Sequence, residues 1–215
     1  SIIGVSGCGK SSLVKAGLIP AVTAGFLPER GVNWRTATMR PGNRPMWNLA
    51  SALLRDSVLD SGTSFQFRAE EAAFLLATLR RGKLGLLEVL QEHPLPENTN
   101  LLLLIDQFED IFRYSQRYDA DEANAFIALV LETIKQTEVP VFVAITMRSD
   151  FLGECPIFQG LPEMMNDNQF LTPRLTRAQY RAAIVGPAAM FGGQVEPQLV
   201  NHLLNEVGIN PDQLP

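Results

Sequence analysis

Short apolar blocks alternate along this chain with longer stretches whose apolar positions recur every three or four residues. The first pattern predicts buried strands and the second amphipathic helices. Residues 1–3 read as the end of a buried strand, followed by a loop over 4–10. A helix is expected from Ser11 to about Ile19, where Pro20 should end or kink it. Residues 32–39 read as a second strand, with Val32, Trp34 and Thr36 on one face and Asn33, Arg35 and Ala37 on the other. Over 45–59, Met46, Leu49, Ala50, Leu53 and Leu54 recur at helical spacing, and Pro45 suits a first turn. Further helices are expected over 68–79, 83–93 and 120–136. Strands are expected over 101–105 and 141–146, with a short last one over 168–171 before Pro173.

Strands alternating with helices indicate an α/β fold whose mainly parallel sheet is covered on both faces. From about Thr176 only helical spacing remains, over 176–190 and 196–207. We therefore place a boundary near Pro173, with an α/β core over 1–173 and the start of a small helical lid over 174–215. The chain opens at Ser1 inside an apolar strand and stops at Pro215 just after a helix, which reads as a piece cut from a longer protein.

With 215 residues, 46% hydrophobic and 19% charged, there is material for one sizeable core. A net charge of −5 argues against a general electrostatic grip on nucleic acid. No apolar run approaches the ~18 residues of a membrane span. Two cysteines, Cys8 and Cys155, and two histidines, His93 and His202, supply neither a disulfide framework nor a structural zinc site. Both histidines sit in helical patterns and read as surface residues.

The loop carries the chemistry. Gly4-Val5-Ser6-Gly7-Cys8-Gly9-Lys10-Ser11 matches G-x-x-x-x-G-K-[ST] at every fixed position, between an apolar strand and a helix. Glycines let successive backbone N–H groups turn onto phosphate oxygens, and the helix start aims its positive end at the same place. Lys10 offers a point charge to β and γ phosphates, and the Ser11 hydroxyl suits Mg²⁺. Gly4, Ser6, Gly7, Cys8, Gly9, Lys10, Ser11 and Ser12 are thus the expected binding set for ATP or ADP. Cys8 reads as a small filler of the loop, and a cytoplasmic setting follows for such a site.

The apolar strand over 101–105 ends in Asp106, the form of a Walker B element, which makes Asp106 with Ser11 the expected Mg²⁺ site. Beyond it Gln107 cannot act as a base, so Glu109 is the first candidate to orient or deprotonate an attacking water and Asp110 the second. The alternative is that both acids only favour the first turn of a following helix. The strand over 141–146 runs into Arg148, placed to report a γ-phosphate. The alternative there is an ion pair with Asp150 or Glu154.

These blocks in order, residues 7–18, Met39-Arg40-Pro41-Gly42, Asp106-Gln107-Phe108-Glu109-Asp110, Thr146-Met147-Arg148-Ser149-Asp150-Phe151 and Leu175-Thr176-Arg177, resemble the STAND class of signalling NTPases. The likeness is to the group called novel STAND type 1. It implies an ATPase-like core, a helical and winged-helix lid, and a switch between an ADP-bound resting state and an ATP-bound oligomer. It also implies sensor and effector domains in the same chain, Asp106 as Mg²⁺ ligand and Arg148 as sensor arginine. Glu109 stands three residues beyond Asp106, as the acidic position does in the related NACHT group, and Leu214-Pro215 resembles the start of the lid motif. Against the switch stand an ordinary ATPase or P-loop kinase, and a nucleotide-binding scaffold without hydrolysis. Arg40-Pro41-Gly42 reads as a turn after the second strand.

Overall fold

The continuous apolar runs become neighbouring strands of one sheet. The computed structural model describes residues 1–25, 33–55, 58–59, 68–137 and 139–209. Strands β1 (Ile2–Gly4), β2 (Asn33–Met39), β3 (Thr99–Ile105), β4 (Val141–Arg148) and β5 (Phe170–Leu171) lie in the order β2-β3-β4-β1-β5. Every neighbouring pair is parallel. All strand ends that follow the chain direction therefore meet along one edge, the edge at which parallel α/β sheets hold ligands.

β3 explains why simple alternation fails as a signal here. Leu101, Leu103 and Ile105 enter one core together with Ala37, Met39 and Ile145. Leu102 and Leu104 enter another with Val14, Val22 and Ala144. Successive side chains face opposite ways, both faces are covered, and so every position from Leu101 to Ile105 is apolar. In β2, Trp34 packs on the second core while Ala37 lies in the first, as the spacing predicts; Val32 lies outside the described residues.

Among the described residues the second face is covered by one helix, α1. It opens as an α turn (Lys10–Ser12), continues as a π segment (Leu13–Leu18) and finishes as an α segment (Ile19–Thr23). Of the end or kink expected at Pro20, the end does not occur, and the helix continues to Thr23. A proline lacks an N–H and crowds the carbonyl four residues back. The wider π turn just before it removes that conflict, and Pro20 sits at the start of the last α segment.

The first face carries the other core helices: α2 (Pro45–Leu53), α3 (Arg68–Leu79), α4 (Gly85–Glu92), α5 (Asp110–Arg117) and α6 (Ala120–Lys135). Leu49, Leu79, Leu86, Ile111 and Phe126 from these five are all fully buried in that core. α2 stops at Leu53, short of the expected 59. The chain turns there, Leu59 N–H donates back to the Leu53 carbonyl, and Val58 and Leu59 reach the core from the turn. β4 runs two residues past its expected end and leads into a 3₁₀ helix (Ser149–Ile157) and α7 (Leu161–Asp167).

Beyond β5, α8 (Arg177–Met190) and α9 (Pro197–Ile209) form a pair. α8 begins with a reciprocal cap in which Thr176 and Gln179 bond each other's backbone, closing two otherwise orphaned donors. Arg177 ties the pair by donating to the Leu204 carbonyl and the Asn205 side chain. Among the described residues no helix is long and apolar enough to cross a membrane.

Candidate functional site

The phosphate-type loop leaves β1 and turns on two left-handed glycines, Gly7 at φ 71° and Gly9 at φ 87°. Gly9 is the residue before α1, and a side chain there would be strained whatever the space. Gly4 is needed for another reason: a Cβ on it would lie 2.6 Å from Cys8 Sγ and 3.1 Å from the Thr172 carbonyl. Cys8 is buried beneath the loop, filling that space. Lys10 Nζ donates to the carbonyls of Gly4 at 2.9 Å and Val5 at 2.7 Å, which hold the ammonium at the base of the loop.

A cleft of about 250 Å³ opens on this edge of the sheet. Ser6, Gly7, Gly9, Lys10, Ser11 and Ser12 line one side, with Gln107, Glu109, Asp110, Arg113, Thr146 and Arg148 opposite. Nine of these twelve belong to the residues or alternatives singled out from sequence alone: the six of the loop, Glu109, Arg148 and, as the second candidate base, Asp110. Gly4 and Cys8 stand behind the lining and shape it.

Asp106 joins the two sides from below. Its carboxylate is fully buried, which demands donors and a counter-charge. Oδ1 accepts from the hydroxyls of Ser11 at 2.6 Å and Thr146 at 2.7 Å. Oδ2 accepts from Lys15 Nζ at 2.8 Å, with Arg40 at 3.5 Å. Burial alone would raise its pKa, but the bonds from Lys15, Ser11 and Thr146 and the Lys15 charge outweigh it and hold the group at about 2. Ser11 and Asp106 thus present two hard oxygens side by side. That donor set suits a cation that completes its shell with phosphate and water, as Mg²⁺ does.

After Asp106 the backbone bends through Gln107 at φ 57°, a left-handed conformation uncommon for a non-glycine residue. Two bonds hold it: Gln107 N–H to Thr146 Oγ1 at 3.0 Å and Phe108 N–H to the Thr146 carbonyl at 2.9 Å. This bend starts α5 one residue beyond Glu109 and directs Glu109 into the cleft. Glu109 is buried, and its Oε2 accepts the Arg148 N–H at 3.3 Å. Burial raises its pKa; backbone donors and Lys10 act against that, while Asp110 adds to it. Asp110 occupies the first turn of α5 and lies 3.5 Å from Arg113. Arg148 lines the cleft rim and makes a two-pronged pair with Asp150, at 3.0 and 2.7 Å, the alternative partner named from sequence.

Lys15, Arg40, Thr146 and the turn at Gln107 were not assigned from the sequence. For Lys15 a signal exists, since it lies one helical turn beyond Ser11 on the same face. For Arg40 and Thr146 none does. Arg40 reaches Asp106 because Met39 pairs with Ile105, and Thr146 reaches it because β4 lies beside β3; both depend on strand order and register.

Among solved structures the chain is similar to the Aeropyrum pernix ORC2 protein. In its ADPNP–ADP complexes the match has a TM-score of 0.53 at 16% identity, over 86% of this chain and 44% of that one. In its ADP form the TM-score is 0.52 at 17% identity, with the same coverage. These likenesses concern the fold, a parallel sheet between helices of the P-loop NTPase type, and this chain spans under half the length of that protein. No curated protein matches. A phosphate-type loop tied through Ser11 to an acidic strand end across a wholly parallel sheet agrees with the match of the Novel STAND NTPase 1 family over residues 1–215, and the chain belongs to that family.

Proposed function

We propose that this chain binds ATP or ADP with Mg²⁺ as the switch domain of a larger intracellular signalling protein, and that slow hydrolysis controls its self-association. The observation that carries the reading is the Ser11–Asp106 bond of 2.6 Å, which joins residues 95 apart in sequence. It supports Ser11 and Asp106 as the metal-binding oxygens, beside a loop whose N–H groups and Lys10 suit phosphates.

In this reading the amides of residues 6–12 cradle the phosphates, and Lys10 turns from its loop carbonyls toward the β and γ oxygens. Ser11 and Asp106 hold the cation. Bound Mg²⁺ supplies neutralisation of phosphate charge. Glu109, drawn into the cleft and raised in pKa by burial, orients the attacking water and takes its proton. Arg148 senses the γ-phosphate by exchanging its Asp150 partner for it, and the exchange moves the start of the 3₁₀ helix that follows β4. Such a local exchange is the kind of event that shifts a two-state element. Sensor and effector domains in the same chain would read that shift.

The test is calorimetric titration of ADP and ATP, with Mg²⁺, into the wild type and Lys10→Ala. The wild type should bind and the variant should lose tight binding, since the phosphates lose their cation while the backbone cradle remains. Equal affinities would remove the phosphate-loop assignment.

A further inference from the structure

Asp106 already has a cation. Lys15 Nζ sits 2.8 Å from Oδ2, and Arg40 stands 3.5 Å from the same oxygen. Ser11 and Lys15 lie one turn apart on α1, so the helix that carries the metal-type hydroxyl carries the competing ammonium as well. The Lys15 side chain is nearly half exposed while Asp106 is not exposed at all. Lys15 also borders a second cleft of about 430 Å³, with Arg40, Asn48 and Arg55, on the side of Asp106 toward β2. The ammonium therefore has somewhere to go, whereas the carboxylate does not.

A divalent cation held by Asp106 and Ser11 would share the Asp106 carboxylate with the Lys15 ammonium, and the two like charges would repel each other there. We propose that Lys15 is the resident counter-ion of Asp106 in the metal-free protein, and that the divalent cation enters by displacing its ammonium into the second cleft. Metal loading then cuts one of the two side-chain bonds from α1 to the end of β3. Lys15 sets how much Mg²⁺ the site needs. This inference rests on the nucleotide-site reading above.

The test titrates a fluorescent ADP analogue into wild type, Lys15→Met and Lys15→Arg, in EDTA and across a Mg²⁺ series. For Lys15→Met the Mg²⁺ concentration giving half of the affinity gain should fall by about tenfold, the scale of a typical coupling between two sites. Its affinity in EDTA should change by less than about twofold, because Lys15 does not line the loop cleft. Lys15→Arg, which keeps the charge, should stay near wild type. An unchanged or higher Mg²⁺ requirement in Lys15→Met overturns the proposal. Wild type that binds no analogue under either condition instead removes the nucleotide site itself, and the inference with it. Melting curves without nucleotide give a second readout: Mg²⁺ should raise the Tm of Lys15→Met far more than that of wild type. If Lys15→Met folds poorly, Mg²⁺ but not NaCl of equal ionic strength should restore a cooperative melt. A failure to restore it counts against the counter-ion role.

Discussion

At the scale of single residues, two carboxylates three positions apart are driven in opposite directions. Asp106 is held at about 2, because the bonds from Lys15, Ser11 and Thr146 and the Lys15 charge outweigh its burial. Glu109 is raised, because burial outweighs the backbone donors at Glu109 and Arg148 and the Lys10 charge that act against it. A group kept ionised suits cation binding, and a group moved up toward neutral pH suits proton transfer. Glu109→Gln is nearly isosteric and leaves the loop and Asp106 alone. ATP affinity should stay within a few-fold, while single-turnover hydrolysis falls by ~10² or more. Asp110→Asn, altering an acid in the first helical turn beside Arg113, should leave the rate nearly unchanged. The opposite ranking would move the base by one residue. The sequence already shows the acid spacing behind this prediction. It does not show Gln107's left-handed turn, because that conformation is held by bonds to Thr146, 39 residues further along the chain.

At the scale of elements, the legible parts were those whose burial comes from one continuous run or one clear stripe. α3 spans the expected 68–79, β3 contains the expected 101–105, and α6 differs from its expected end by one residue. Elements shaped by local backbone chemistry were not legible. The π segment of α1 carries the chain through Pro20, and the 3₁₀ helix after β4 contains Pro156 and no helical stripe. The α3–α4 junction is similar: spacing suggested a start at 83, but α4 begins at Gly85, where the chain touches the end of α3. A Cβ on Gly85 would lie 2.7 Å from the carbonyls of both Thr78 and Leu79 and 2.8 Å from Leu79 Cα. Those are backbone atoms and cannot swing aside, so Gly85→Ala should cost about 2 kcal/mol or more through overpacking. In a domain of this size that lowers Tm by roughly 6 °C, readable by calorimetry. Gly82→Ala, whose Cβ meets nothing within 4 Å, is the control and should stay within about 0.5 kcal/mol. Equal effects of the two would mean that the junction relaxes freely.

At the scale of the whole molecule, one carboxylate links segments that are far apart in the chain. α1 reaches Asp106 through Ser11 and Lys15, the end of β2 through Arg40, and β4 through Thr146. The order β2-β3-β4-β1-β5 brings them to one edge, and no spacing along the sequence reveals that order. The acid limit of stability should carry its mark. The folded pKa of Asp106, about 2, lies below its ordinary 3.8, so the native state holds the ionised form more tightly than the unfolded chain does. The resulting stability is fully present above 3.8 and is lost as pH falls through 3.8 toward 2. Asp150, lowered by its Arg148 bond, acts in the same sense on the surface, weakened by solvent screening. Glu109 has the opposite sign: its raised pKa favours the folded state at acid pH, and that contribution fades as pH rises through the folded value. Urea midpoints measured from neutral pH down to about pH 2 should therefore show Asp106→Asn less stable than wild type at neutral pH, with the gap closing below about pH 4. Removing Glu109 instead, as Glu109→Gln, should leave that acid-side closure in place. A gap between wild type and Asp106→Asn that keeps its size across the range would mean that the buried carboxylate's shape, rather than its charge, ties the four segments together.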